Sequence, residues 1–404
     1  MEGAAGVDST PRAWRVVAAC FVSAVFAWGF GFYAHGIYLV ELQKAHGWST
    51  SLISSVVTGH YVLGALLLPH IARAIGRFGP CAVFLGGLSI TGLALLLLPS
   101  ITAPWQLVVL YAMMAPGWNA TSVAPIAATL GQWFHARRGL ALNLALSGAT
   151  VAGLVVAPSL LALIPRIGFA DAERLLVTIG LVLAALLVAL FVRRGPLLPH
   201  SAATAPRSTL APMRQWHFWT ISAPFAFVLT SQVGFLTHLV PLISGRASAG
   251  AAVDPGLAVA INAIAALVGR VVLGFVIDRL EPRRASALCF LVQVAAIAVL
   301  AQAQAPLVVY AACAIYGFSV GNNITLSPLI IQREYPAIAF PAVVALSTAV
   351  VQIVYAFGPG LLGVLRDLTG GYAAPLALCM GLNLAATAVV LLRPRRVARV
   401  SSGT

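Results

Sequence analysis

The chain has 404 residues, 60% of them hydrophobic and only 8% charged, with a formal net charge of +14 at pH 7. Soluble globular domains carry about 25% charged residues, so this composition excludes a soluble protein and implies a chain that crosses a lipid bilayer many times. The positive surplus does not signal nucleic-acid binding: there is a single lysine, Lys44, and the arginines stand in short clusters between apolar runs.

Residues 1–13 are polar, and the apolar run from Val16 to Val40 is too long for a cleaved signal peptide, so it is expected to stay as a first membrane helix. Hydropathy breaks predict twelve spans, at about 15–40, 50–72, 81–98, 105–133, 139–163 and 172–193, then about 215–242, 255–278, 286–303, 307–332, 341–364 and 372–392. Between Arg194 and Arg214 the composition turns to Pro, Ser, Thr and His. This segment, 194–214, reads as a cytoplasmic linker between an N-terminal six-helix bundle, 1–193, and a C-terminal one, 215–404. The clusters Arg12/Arg15, Arg73/Arg77, Arg137/Arg138, Arg193/Arg194, Arg279/Arg283/Arg284 and the tail from Arg393 to Arg399 would all lie on one side. The positive-inside rule makes that side, with both termini, cytoplasmic.

Five cysteines, Cys20, Cys81, Cys289, Cys313 and Cys379, are scattered without metal-ligand spacing and read as small core residues. There is no phosphate loop and no nucleophile beside a base, so neither an enzyme nor a cofactor is expected.

A shift of about 203 residues superposes the two halves. Gly31-Phe32-x-x-His35 falls on Gly234-Phe235-x-x-His238, Asn119 with Pro125 falls on Asn322 with Pro328, and Arg77 falls on Arg279. A duplicated six-helix unit explains these ordered matches.

One intramembrane charge stands out. Arg270 interrupts the eighth apolar run about two turns before its end, where a cation costs ~3 to more than ~10 kcal/mol unless it faces protein or water. The ten acids, Glu2, Asp8, Glu41, Asp171, Glu173, Asp254, Asp278, Glu281, Glu334 and Asp367, all fall at helix ends or in loops. No carboxylate is therefore expected to neutralise Arg270 at depth, and a bound anion becomes the natural partner, because the planar guanidinium meets a carboxylate with two parallel hydrogen bonds. With no buried acid, proton coupling would run through His35, His60 or His238, through water, or through the substrate.

Gly274-x3-Asp278-Arg279-x3-Arg283 resembles the loop signature of the major facilitator superfamily. Its counterpart in the first half is degenerate and keeps Arg77 and Gly79. Arg138-Gly139-Leu140-Ala141-x-x-Leu144-Ala145-Leu146-x-Gly148, then Phe218-Trp219 with His238-Leu239-Val240-Pro241-Leu242, and Gly358-Pro359-x3-Gly363-x2-Arg366-Asp367-x-Thr369-Gly370 resemble oxalate–formate-type antiporters and bacterial monocarboxylate transporters. The resemblance implies an all-α membrane protein of twelve helices in two pseudo-symmetric bundles, in a bacterial cytoplasmic (inner) membrane. It implies alternating-access transport of a small organic anion, a mono- or dicarboxylate, by proton symport or anion exchange.

In that group the arginine at the position of Arg270 is the carboxylate's partner. Two departures, Ala266 where an acid is common and Tyr33 where a lysine is common, weigh against lactate-like proton symport. The substrate contacts expected here are Arg270, His35, His238, Tyr33, Asn119, Asn322, Tyr61 and Gln352, with Gly274, Asp278, Arg279, Arg283 and Arg77 as the structural motif. Polar groups such as the asparagines also serve as interhelical glue, at ~0.6–2 kcal/mol each. Two other functions suit the same fold: an exporter of drugs or neutral metabolites, and a substrate sensor that moves nothing.

Overall fold

The computed structural model describes residues 11–134, 137–193, 211–248, 252–276, 280–336 and 339–392. Among them every regular element is helical. Twelve helices are long and apolar enough to span a bilayer: α1 Pro11–Tyr33, α2 Thr50–Phe78, α3 Pro80–Ser100, α4 Pro104–Leu130, α5 Gly139–Ile167, α6 Phe169–Phe191, α7 Trp216–Ala247, α8 Pro255–Leu273, α9 Pro282–Gln302, α10 Pro306–Glu334, α11 Ala342–Thr369 and α12 Ala373–Leu391. Most of the expected linker, from Arg194 to Leu210, lies outside the described residues, and Ala211–Arg214 forms a single 3-10 turn ahead of α7.

Local chemistry explains the turns. At Gly79 a φ of 86° folds α2 back into α3, a conformation that side chains rarely adopt, and Pro80 then opens α3 where its missing N–H costs nothing. Before α9, the Glu281 carboxylate accepts from the backbone N–H groups of Arg283 and Arg284, and Pro282 occupies the first helical position.

Helices α1 to α6 pack mainly among themselves, as do α7 to α12. Three seams join the bundles: α2 against α11, α5 against α8, and the extension of α1, His35–His46, against α7. Seam polar contacts cluster at the end away from the chain termini, the distal end. There Ser51 N–H donates to Asp367 Oδ2 at 2.6 Å, Gly360 N–H to Thr58 Oγ1 at 2.9 Å, and Ser54 Oγ lies 3.3 Å from His238 Nε2.

Four spans that hydropathy reads as continuous are interrupted. α4 breaks at Thr121–Ser122, just after Asn119, and α10 at Gly321–Asn322, at the asparagine that the internal repeat matches to it. α11 breaks at Ala356–Phe357. In α1 the helix widens over Gly29–Tyr33, where Ala34 N–H bonds Gly29 O at 2.9 Å, five residues back. Such π turns leave backbone groups and side chains re-aimed and gather at functional positions.

Arg283 is the structural centre of the signature. It is 1% exposed, and its Nε and Nη2 meet the Glu334 carboxylate at 2.7 and 2.8 Å. Its Nη1 donates to the carbonyls of Val390 at 2.8 Å and Leu392 at 3.2 Å, while Nη2 reaches Thr220 Oγ1 at 3.1 Å. It thus ties the starts of α7 and α9 to the ends of α10 and α12. Arg77 stacks over Phe78 at 5.2 Å, and Gly274 sits on the helical turn that continues α8 to Val276. Asp278 and Arg279 lie outside the described residues.

Candidate functional site

The site grows from a close crossing of α8 and α10. Glycines make it possible: a Cβ at Gly269 would strike the Phe318 backbone, and one at Gly317 would strike the Asn262 carbonyl. One turn on, a Cβ at Gly321 would lie 2.8 Å from Arg270 Cγ. Because that space is free, Arg270 lies along the break in α10, and its Nε donates to the Gly321 carbonyl at 3.0 Å. Helix-breaking residues inside a membrane release just such a carbonyl. Across the seam, Arg270 Nη1 donates to Thr150 Oγ1 of α5 at 3.2 Å. The guanidinium is thus turned to protein at the bundle interface. Among the described residues, no carboxylate lies within ion-pairing distance of it.

Tyr33, on the widened turn of α1, packs on α5, where a Cβ at Gly153 would come 2.7 Å from its ring, and it lies within electrostatic reach of Arg270. A separate aromatic set links α1, α2, α4 and α11. Trp28 and Trp118 have ring centroids 4.9 Å apart, Tyr61 lies 6.2 Å from Trp118, and Tyr355 of α11 lies 6.2 Å from Tyr61 across the interface. Gly31 is pressed against Trp118, and its carbonyl accepts from Tyr61 Oη at 3.3 Å.

The remaining expected contacts divide. His35 is fully buried inside the N-terminal bundle, its Nδ1 3.2 Å from Tyr111 Oη. His60 shares that cluster, with Nδ1 3.1 Å from the Tyr111 carbonyl. His238 stands at the distal seam: its Nε2 lies 3.3 Å from Ser54 Oγ of the other bundle, while within its own bundle Nε2 is 3.1 Å from the Pro359 carbonyl and Nδ1 is 3.2 Å from Tyr372 Oη. The two histidines matched by the repeat therefore occupy unlike surroundings, one within a bundle and one between bundles. Asn119 donates to the Ala115 carbonyl at 3.1 Å and fills the space beside Gly64. Asn322 donates to the Phe318 carbonyl at 3.2 Å, and its neighbour Asn323 donates to Gln232 Oε1 at 3.0 Å. These are packing contacts between and within helices. Gln352 is half-buried on α11.

Glu173 corrects the expectation that no acid is buried. It stands just past the first turn of α6, near a helix end as expected, yet it is 0% exposed, and Tyr38 Oη donates to its Oε1 at 2.6 Å. Position along the chain could not reveal this, because the α1 extension that covers it is contributed from 135 residues away. Thr150 was also missed, since a threonine in an apolar run carries no signal of its own. An outward apolar groove lined by Ile261, Val268, Val292, Ile315 and Phe318 gathers no polar group and is suited to lipid chains.

The sequence matches the Major Facilitator Superfamily over residues 20–359 and again over 256–403. MFS-type transporter 1 of Ophiocordyceps sp. (strain BCC 1869) is 28% identical over 341 residues, covering 81% of this chain and 72% of that protein. Monocarboxylate transporter 13 of Rattus norvegicus is 25% identical over 97% of this chain and 91% of its own length. Monocarboxylate transporter 11 of Mus musculus is 30% identical over 69% of this chain and 64% of its own. In three dimensions, a bacterial homologue of the human lysosomal transporter Spinster, in an inward-facing and occupied conformation, matches with a TM-score of 0.69 at 17% identity, covering 95% of this chain and 94% of that one. Twelve spanning helices, the Arg283 clamp and a family match along nearly the whole chain agree, and the protein belongs to the major facilitator superfamily.

Proposed function

We propose that this major facilitator transporter carries a small organic anion, bound through its carboxylate to Arg270, by alternating access between its two bundles. The observation that carries the reading is the placement of Arg270, which bridges α5 and α10 with neutral partners only among the described residues. An intramembrane cation without a fixed counter-ion is stabilised when a solute supplies one. Rocking of one bundle against the other changes the distance between Thr150 and Gly321, and so the pocket in which the anion sits. The names of relatives at 25–30% identity over most of the chain, two of them monocarboxylate transporters, support the same class. Tyr33, within electrostatic reach of Arg270, favours a carboxylate with an apolar body. The arginine clusters favour cytoplasmic termini, as in a bacterial inner membrane.

A thermal-shift screen of the purified protein against mono- and dicarboxylates tests this, because a ligand raises stability according to how far it saturates the folded state. Stabilisation by at least one carboxylate, lost in Arg270→Ala, is expected. No stabilisation by any carboxylate sinks the reading and favours an exporter of neutral compounds. Stabilisation without flux in liposomes favours a sensor.

A further inference from the structure

Away from the substrate arginine, the distal half of the N-terminal bundle holds Glu173, Tyr38, His35 and His60, ionisable groups with no contact to Arg270 among those described. Glu173 is enclosed on every side. Its Oε1 accepts from Tyr38 Oη at 2.6 Å, and its Oε2 is buried with no hydrogen-bond partner. Removing an ionised carboxylate from water costs several kcal/mol unless a cation and further donors meet it, and here one phenol does.

The groups around it come from several helices. The α1 extension supplies Tyr38 and His35, α4 supplies Tyr111, and α2 supplies His60 and Tyr61. On α6 itself Asp171 stands at the helix start, and Arg174 points outward to Ser100 Oγ at 2.7 Å. α5 contributes Arg166 in its exposed last turn. Arg15 of α1 and Cys81 of α3 contact Phe191 and Val188, at the opposite end of α6. Among the described residues, none of these cations pairs with Glu173.

The rings form steps. From Tyr38 to His35 the centroids are 6.3 Å apart, from His35 to His60 5.8 Å, and from His35 to Tyr61 5.8 Å. Tyr61 meets Tyr355 of α11 at the bundle interface. Nε2 of both His35 and His60 is buried without a partner, as is Glu173 Oε2. Three buried polar atoms left open in one cluster are unusual, since such atoms are nearly always satisfied. They are the acceptors and donors that a proton, or the water carrying it, would use.

We propose that Glu173 is a proton-binding site of this transporter, with Tyr38, His35 and His60 linking it toward the bundle interface. On binding, an O–H bond forms at the carboxylate. On release, the same bond breaks, and the proton leaves through the cluster when bundle movement admits water. No other bond changes. This rests on the transport reading for its purpose, but it uses none of the Arg270 contacts.

The test needs no substrate. Infrared spectra of the purified protein, recorded from mildly acidic to mildly alkaline solution, report the carbonyl stretch of protonated carboxyl groups. In the wild type a carboxyl band that disappears with rising pH is expected, and Glu173→Gln is expected to lose that band entirely. A band that ignores pH in the wild type, or one that titrates unchanged in Glu173→Gln, overturns the proposal. Should Glu173→Gln fail to fold, Tyr38→Phe decides: losing the donor to the ionised form moves the midpoint to higher pH, whereas an unmoved midpoint overturns it. A carboxylate screen that finds no binder would defeat the Arg270 reading and leave these spectra unaffected.

Discussion

Arg270 Nη1 and Thr150 Oγ1, 3.2 Å apart, belong to different bundles, so the intramembrane arginine of α8 is shared across the seam that joins them. A hydrogen bond to a charged group contributes ~1.5–3 kcal/mol, which is large against the few kcal/mol that separate conformations of a transporter. On the proposed function, an anion arriving at the guanidinium would change that balance and link occupancy to bundle movement.

The fork geometry gives the first prediction. In Arg270→Lys the charge is kept, but the ammonium cannot make two parallel bonds to a carboxylate or reach the Gly321 carbonyl in the same way. Affinity for the best carboxylate is expected to fall about tenfold or more, a loss of ~1.4 kcal/mol, and further in Arg270→Ala. Calorimetric or thermal-shift titration measures this. Unchanged affinity in both variants would falsify the arginine's role.

Gly321→Ala tests how the arginine is placed. The new methyl would press on Arg270 Cγ and on the Ala266 carbonyl. Overpacking of this kind costs ~1–3 kcal/mol, so a lower melting temperature is expected together with weaker carboxylate binding. A melting temperature equal to the wild type's would mean that the α8–α10 crossing is loose.

At the distal end, Asp367 holds the first turn of α2 through Ser51 N–H at 2.6 Å, beside the Thr58–Gly360 contact. Asp367→Ala removes a charge-assisted bond that favours closure there. A loss of ~1.4 kcal/mol raises the open fraction tenfold. Spin labels on the distal turns of α2 and α11 are expected to show a larger share of long distances. An unchanged distribution would remove Asp367 from the gate.

The Arg283–Glu334 pair gives a stability prediction. With Glu334→Ala the guanidinium, 1% exposed, keeps only neutral partners. Breaking a buried pair costs ~3–5 kcal/mol, and the exposure of Glu334, at 25%, puts the expectation at the lower end. Chemical denaturation or thermal melting reads the loss. Substrate affinity, in contrast, is expected to stay near the wild type, because the clamp lies away from Arg270.

Hydropathy and arginine spacing were sufficient for twelve spans, because a helix in lipid satisfies its own backbone and needs about twenty apolar residues in a row. The same logic singled out Arg270, since a cation within such a run is conspicuous. The interruptions at Gly29–Tyr33 and Gly321–Asn322 escaped notice. Their cause is not the local run but what packs beside it, Trp118 against Gly31 and Arg270 against Gly321.

What the sequence alone determined is therefore the membrane architecture and the presence of a cation, Arg270, inside an apolar run, both of which follow from linear patterns of apolar and charged residues. Only the tertiary structure decided that Thr150 faces Arg270, that His35 and His238 part company, and that Glu173 is sealed beneath Tyr38. Each of these depends on which helix faces which across tens or hundreds of residues, and a one-dimensional pattern carries no record of the neighbour that supplies the contact.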